Sequence, residues 1–130
     1  MPAVGDEPAL VVATPGAEPV AAGGYAAALL LDGQVMLGRP GLRAAEEALR
    51  RWLMASALVR PGPEGGRVVL VAEARSRPVQ ALVRWDPAGF AEQELAERQQ
   101  LRFPPAARVA ELTGEAEDVA ALLAMAELPD

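Results

Sequence analysis

The chain contains no cysteine and no histidine, and because it also contains no lysine, all 12 of its basic residues are arginine. Each absence removes a class of chemistry. Without histidine there is no side chain that shuttles protons near neutral pH. Without cysteine there is no thiolate nucleophile and no cysteine-ligated zinc site. Without lysine there is no Schiff-base amine and no phosphate-binding P-loop lysine. The sequence is accordingly expected not to be an enzyme. Its 18 carboxylates leave a paired-acid site or an oxygen-ligated metal open by composition, but no spacing supports either.

Other features are scarce rather than missing. Aromatic residues make up 4% of the chain while hydrophobic residues make up 52%, so a core must be built from alanine, valine and leucine. No apolar run approaches the roughly 18 residues of a membrane span, and the first residues carry no basic leader, so a soluble, cytoplasmic protein with no membrane partner is expected. Absence of cysteine fits that compartment. The net charge of −6 repels phosphate, so weak or no binding of free DNA by this chain alone is expected. The bias to alanine and arginine matches a GC-rich coding sequence.

At 130 residues the chain is one domain or pieces of two. Residues 1–9 form a loose lead-in rich in proline, glycine and acid. Leu10–Ala13 and Tyr25–Leu31 are apolar runs without alternation, and Arg67–Ala72 is a third; such runs suit strands of a parallel sheet buried on both faces. Between the second and third, residues 43–59 have helical period, with Leu42, Ala45, Leu49, Trp52, Leu53 and Ser56 on one face. Glu46–Arg50 and Glu47–Arg51 stand four apart in the favourable order. Arg60-Pro61-Gly62-Pro63 stops this helix. Strand, helix and strand in this order predict a βαβ unit with a right-handed crossover. A short helix is expected from Pro78 to Trp85. Another should follow, capped by Asp86 with Pro87 in its first turn and running to about Arg102, with Glu94–Arg98 as a further pair. Arg108–Leu112 reads as a strand, Thr113-Gly114 as a turn, and residues 115–127 as a last helix. Trp52 belongs to the core; Trp85, beside a helix break, is half exposed.

Several positions have two readings. Thr14-Pro15-Gly16 follows an apolar run, where nucleotide loops sit, but lacks the glycines and lysine of a phosphate loop and is favoured as a plain turn. Asp32-Gly33 is a metal-binding carboxylate at a strand end or, preferentially, a turn. Arg39, Arg43 and Arg60 could contact DNA or a partner protein, against a solvated face as the ordinary alternative.

One segment is more specific. Phe90-Ala-Glu-Gln-Glu-Leu-Ala-Glu-Arg98, followed by Leu101-Arg-Phe-Pro-Pro105, resembles the F-x-E-x-E-L-x-x-R…(F/Y)-P-P segment of the PriA family of primosomal replication-restart proteins. Ala28-Leu-Leu-Leu-Asp-Gly33 and Leu42-Arg-Ala-Ala-Glu46 resemble that family's L-L-D-x-D-G…F-R-A-x-E stretch, and Arg67–Val71 its strand after the last helicase motif. The resemblance runs from about Leu10 to the end. It implies an α/β fold: part of a RecA-like second helicase lobe over residues 10–76, a helical connector over 77–104, and the start of an α+β C-terminal domain over 105–130.

The resemblance also implies what has been lost. The family's motif V, roughly G-T-Q-M-x-x-K-G-x-x-F, falls on Ala13–Pro19, where only Thr14 survives. Motif VI, Q-V-A-G-R-A-G-R, falls on Met54–Pro61, so its two arginines are replaced by Leu58 and Pro61, with Arg60 one place from the second. An arginine finger is worth roughly 10³–10⁵ in rate, so a helicase-like but inactive lobe is implied. Such loss resembles the helicase-dead branch of high-GC Gram-positive bacteria. The family's zinc ligands and P-loop lie outside the aligned part, so no cofactor is expected in this chain, which is taken as a piece of a longer protein. For the whole protein the resemblance implies branched or single-stranded DNA and primosome or single-strand-binding proteins as partners. A stand-alone α/β interaction module is the alternative.

Overall fold

A computed structural model describes residues 3–5 and 7–127. It is mixed α/β, with short parallel strands and several helices, and it divides into two compact units, one up to Gln93 and one from Glu94 onward.

The first unit is organised by strands β3 (Ala27–Leu30) and β4 (Arg67–Leu70), which pair in parallel with Ala27 opposite Arg67 and Leu29 opposite Val69. Two further strands are numbered first in chain order, β1 (Ala3–Val4) and β2 (Val20–Ala21). They form a separate two-residue parallel ladder in segments whose sequence shows only a lead-in and a turn. Helices α1 (Gly33–Leu37) and α2 (Ala44–Ser56) make the crossover from β3 to β4, as parallel pairing requires.

Helix α2 forms where the 3.6-residue period places it, and it buries Ala48, Leu49, Trp52, Ala55 and Ser56. Leu42, expected on that face, precedes the helix and is exposed. Trp52 is 2% exposed and is the largest fully buried side chain. Around it gather Met36 of α1, Val79 and Leu82 of α3 (Arg77–Arg84), and Phe90 at the start of α4 (Pro87–Leu101), with Leu30 and Leu70 of the ladder packed against them.

The helix ends follow local chemistry. Asp86 Oδ1 accepts a hydrogen bond from the Gly89 N–H at 2.9 Å and caps α4, as its place before Pro87 predicts. Helix α3 ends with Trp85 in the left-handed conformation. The Trp85 N–H reaches the Leu82 carbonyl and the Asp86 N–H the Ala81 carbonyl. Arg102 ends α4 in the same way, with bonds from Arg102 N–H to Gln99 and from Phe103 N–H to Arg98. Both are six-residue end motifs that usually place glycine in the left-handed position.

The second unit holds the rest of α4 and α5 (Ala116–Met125). Within it Arg98 is buried. Its Nη2 lies 3.5 Å from Glu94 Oε2, and its Nη1 donates to the Pro104 carbonyl at 3.2 Å. The Pro104–Pro105 bond is cis. Leu122 and Leu123 of α5 are half exposed.

Three expectations are corrected. Leu10–Ala13 forms no strand; Leu10 and Val12 are both 90% exposed, and the segment has no ladder partner among the described residues. Arg108–Leu112 likewise lacks a partner. An apolar run becomes a strand only when a neighbour takes its N–H and C=O groups, and composition does not supply that neighbour. Asp32-Gly33 does not form a free turn but opens α1, with the Asp32 carbonyl accepting from the Met36 N–H at 3.0 Å. Gly33 is needed there: a Cβ would lie 2.6 Å from the Val71 oxygen and 2.8 Å from the Ala72 Cβ.

Candidate functional site

A concavity lies in the first unit, along the edge of β3 away from β4. Its volume is about 650 Å3, and its walls are Leu10–Ala13 and Pro15 on one side and Ala27–Leu31 with Trp52, Ala55 and Leu58 on the other.

The edge is free for a reason that the bonding alternation makes plain. Along a strand, successive residues direct their N–H and C=O groups to opposite edges. Ala26 and Leu30 give their carbonyls to Arg67 and Val71, so the even-numbered residues face β4. Tyr25 faces the other way: its N–H donates to the Leu58 carbonyl and its carbonyl accepts from the Arg60 N–H, both at 2.9 Å. That single bridge to Val59 closes one step of the second edge. Beyond it Ala27, Leu29 and Leu31 face the cleft with no strand beside them among the described residues.

The polar groups at the mouth of the cleft are committed to holding its outer wall. The Tyr25 hydroxyl donates to the Pro19 carbonyl at 2.7 Å. The Glu18 carboxylate accepts from the Gly16 N–H at 2.9 and 3.0 Å. Arg51 Nη1 donates to the Pro15 carbonyl at 2.6 Å, while its Nε donates to Glu47 Oε1 at 2.7 Å. Glu47 also takes both Nε and Nη2 of Arg50 at 2.8 Å. The hydrogen bonds from Arg50 and then Arg51 hold the Glu47 carboxyl down at a pKa of about 2, and Glu47 in turn raises the Arg50 guanidinium.

The residues marked by sequence lie in different places. Thr14 is exposed in the turn, where its carbonyl accepts from the Ala17 N–H at 2.9 Å. Leu58 lines the cleft and supplies a carbonyl to the Tyr25 bridge. Arg60 is exposed, and its Nε donates to the Gly24 carbonyl at 3.3 Å; Pro61 follows it out of the bridge. Arg39 and Arg43 come together beside α2 on a shallow depression of about 230 Å3 that also includes Glu47, and Arg60 is not part of it. Asp32 is exposed, and among the described residues no group of three or more acids is placed to hold a metal ion.

Two features escaped sequence reading. One is the Arg51–Pro15 bond, whose partners are 36 positions apart. The other is the bare outer face of the ladder. The uninterrupted apolar runs signal a sheet covered on both sides, but they do not say whether the cover lies within this chain.

Comparison with known proteins follows the same segment. The chain is 60% identical over 123 residues to proteins of Mycobacterium tuberculosis and Mycobacterium bovis named probable replication restart protein PriA; the match covers 95% of this chain and 19% of those proteins. It is 58% identical over 130 residues to the protein of the same name from Mycobacterium leprae, covering 100% of this chain and 20% of that one. The chain thus spans about one fifth of the length of these relatives. No family model matches it, and no solved structure matches it.

Proposed function

On the premise that this chain is homologous to one fifth of the PriA replication restart proteins, we propose that it is a non-catalytic part of such a protein, the remnant of a RecA-like second helicase lobe. The observation that carries the reading is the identity of about three residues in five along the whole segment. The β3–α1–α2–β4 crossover supports it, since parallel strands joined by helices are how such lobes are built.

Loss of ATP hydrolysis follows from the motif VI positions. Leu58 is an apolar wall of the cleft, and Pro61 has no side-chain donor. Arg60, one place before Pro61, donates to the Gly24 carbonyl. At the two positions where the resemblance places the motif's arginines, Leu58 and Pro61 have no guanidinium to offer a phosphate held elsewhere, which is what an arginine finger must do. In the whole protein, recognition of branched or single-stranded DNA and contact with primosome or single-strand-binding proteins would rest on other regions. With a net charge of −6 this chain contributes little to phosphate binding.

The test compares this chain with a whole PriA-type protein in ATPase and fork-DNA binding assays. No turnover and weak, salt-sensitive DNA binding by the chain are expected. ATP hydrolysis by the chain alone would overturn the proposal.

A further inference from the structure

The connection between α1 and α2 brings two arginines together over an apolar depression. Arg39 follows α1 directly after Gly38, and Arg43 stands at the N-cap of α2. That cap position favours serine, threonine, aspartate or asparagine, and Arg43 makes no cap hydrogen bond, so the local chemistry of the helix end does not account for it. Both residues are exposed, and neither guanidinium has a hydrogen bond or ion pair among the described residues. Arg50, Arg51, Arg60 and Arg98, by contrast, are each bonded within the chain.

The floor between them is firm. Met36 and Ala48, 5 and 1% exposed, belong to the core around Trp52 and line the depression with Pro40 and Ala44. Its volume of about 230 Å3 lies below the roughly 300–1,000 Å3 of small-molecule pockets, so it suits one inserted side chain. Glu47 closes part of the rim, but its carboxylate is already bonded to Arg50 and Arg51, which offset its charge. Over residues 39–51 four arginines face two glutamates, a local excess of two positive charges on a chain whose net charge is −6.

We propose that this depression binds an acidic peptide segment of another protein, with one aliphatic side chain seated on Met36 and Ala48 and flanking carboxylates on Arg39 and Arg43. A guanidinium pairs with a carboxylate through two parallel hydrogen bonds, and an apolar seat between two such groups selects peptides that carry both features. Nucleic acid fits less well. None of the residues that line the depression is aromatic, so bases have nothing to stack on, and Glu46 and Glu47 disfavour a continuous run of phosphates. The contact adds to those that other regions of the whole protein make, and it does not depend on the reading of the motif VI positions.

Fluorescence anisotropy on the 130-residue chain tests this with a fluorescein-labelled peptide, Gly-Ser-Asp-Asp-Leu-Asp-Asp-Ser, beside a labelled oligothymidylate. Saturable peptide binding that weakens as salt rises is expected. Arg39→Gln and Arg43→Gln should each weaken it about fivefold, as the loss of an exposed charge pair does. Serine in place of the peptide's leucine should weaken it about tenfold, since the apolar anchor is gone. Arg75→Gln removes the same charge from an exposed position outside the depression and should change binding less than about twofold. Circular dichroism of each variant should match that of the unsubstituted chain, because all three positions are exposed. No saturable binding at about 1 mM chain would overturn the proposal. So would an equal loss from Arg75→Gln, which would reduce the effect to unspecific charge attraction. So too would oligothymidylate that binds more tightly than the peptide and is released by the same two substitutions, which would assign the arginines to nucleic acid. None of these outcomes touches the ATPase reading.

Discussion

Arg51 on α2 holds the carbonyl oxygen of Pro15, 2.6 Å from its Nη1, and so fastens a loop 36 positions earlier in the chain to the helix. This contact keeps the outer wall of the cleft in place although Leu10–Ala13 has no strand partner among the described residues. Replacing Arg51 with methionine keeps much of the stem and removes the donors. Faster amide exchange and faster proteolysis over residues 9–19 are expected, with a global stability loss of about 1 kcal/mol for a partly exposed charged bond. Unchanged exchange in that loop would show that other contacts hold it.

Glu47 makes stability depend on acid. Its carboxyl sits near a pKa of about 2 because Arg50 and Arg51 bond it, against a reference of 4.5. A depressed folded value means the unfolded chain binds the proton first, so this stabilisation is present above pH 4.5 and fades as pH falls from there toward about 2. In urea titrations across that window Glu47→Gln should lose less stability than the unsubstituted chain. High salt should shrink the difference, since the group is solvent-facing.

Trp52 is the largest fully buried side chain of a core that also draws on α1, α3, α4 and the ladder. Trp52→Ala should cost about 3–5 kcal/mol, read as a shift of the urea midpoint. Gly33→Ala acts on the same unit by a different route, because its new methyl meets the Val71 carbonyl; a loss of about 1–3 kcal/mol is expected from forced displacement.

In the second unit Arg98 is the residue to change. It lies buried between Glu94 and the Pro104 carbonyl. Arg98→Met leaves Glu94 without that partner and should cost about 3 kcal/mol. Arg102→Gly, in contrast, should stabilise by about 0.5–1 kcal/mol, because Arg102 is exposed and left-handed at a helix end where glycine is at ease. Thermal melts of the two variants should move in opposite directions.

These contrasts show what could be read from residues alone. Helix α2 was legible because its apolar spacing and its Glu-to-Arg order agree, and β3 and β4 because their runs are apolar and unbroken. The start of α4 was written in Asp86-Pro87. The segment from Phe90 to Pro105 was recognised as a pattern, and the structure supplies its physics: Phe90 enters the core, and Arg98 joins Glu94 to Pro104. Leu10–Ala13 misled because strand propensity says nothing about whether a partner strand is present. The left-handed positions of Trp85 and Arg102 had no glycine to announce them. Spacing along the chain does not reveal that Arg39 and Arg43 share a depression while Arg60 turns to Gly24, because both relationships are made by the fold.

The unpaired edge of β3 has a consequence for handling the protein in solution. Ala27, Leu29 and Leu31 offer a short template to any extended chain, including another molecule of the same kind. With no strand beside them among the described residues, mutual repulsion between like-charged molecules is what discourages such encounters, and at neutral pH that repulsion comes from carboxylates. Acidification removes it near the isoelectric point of about 4.7, before the Glu47 carboxyl takes up its proton, and below that point the 12 arginines restore repulsion of the opposite sign. Turbidity and β-rich association should therefore peak near pH 4.7 and fall again at lower pH, before the helices of the core have melted.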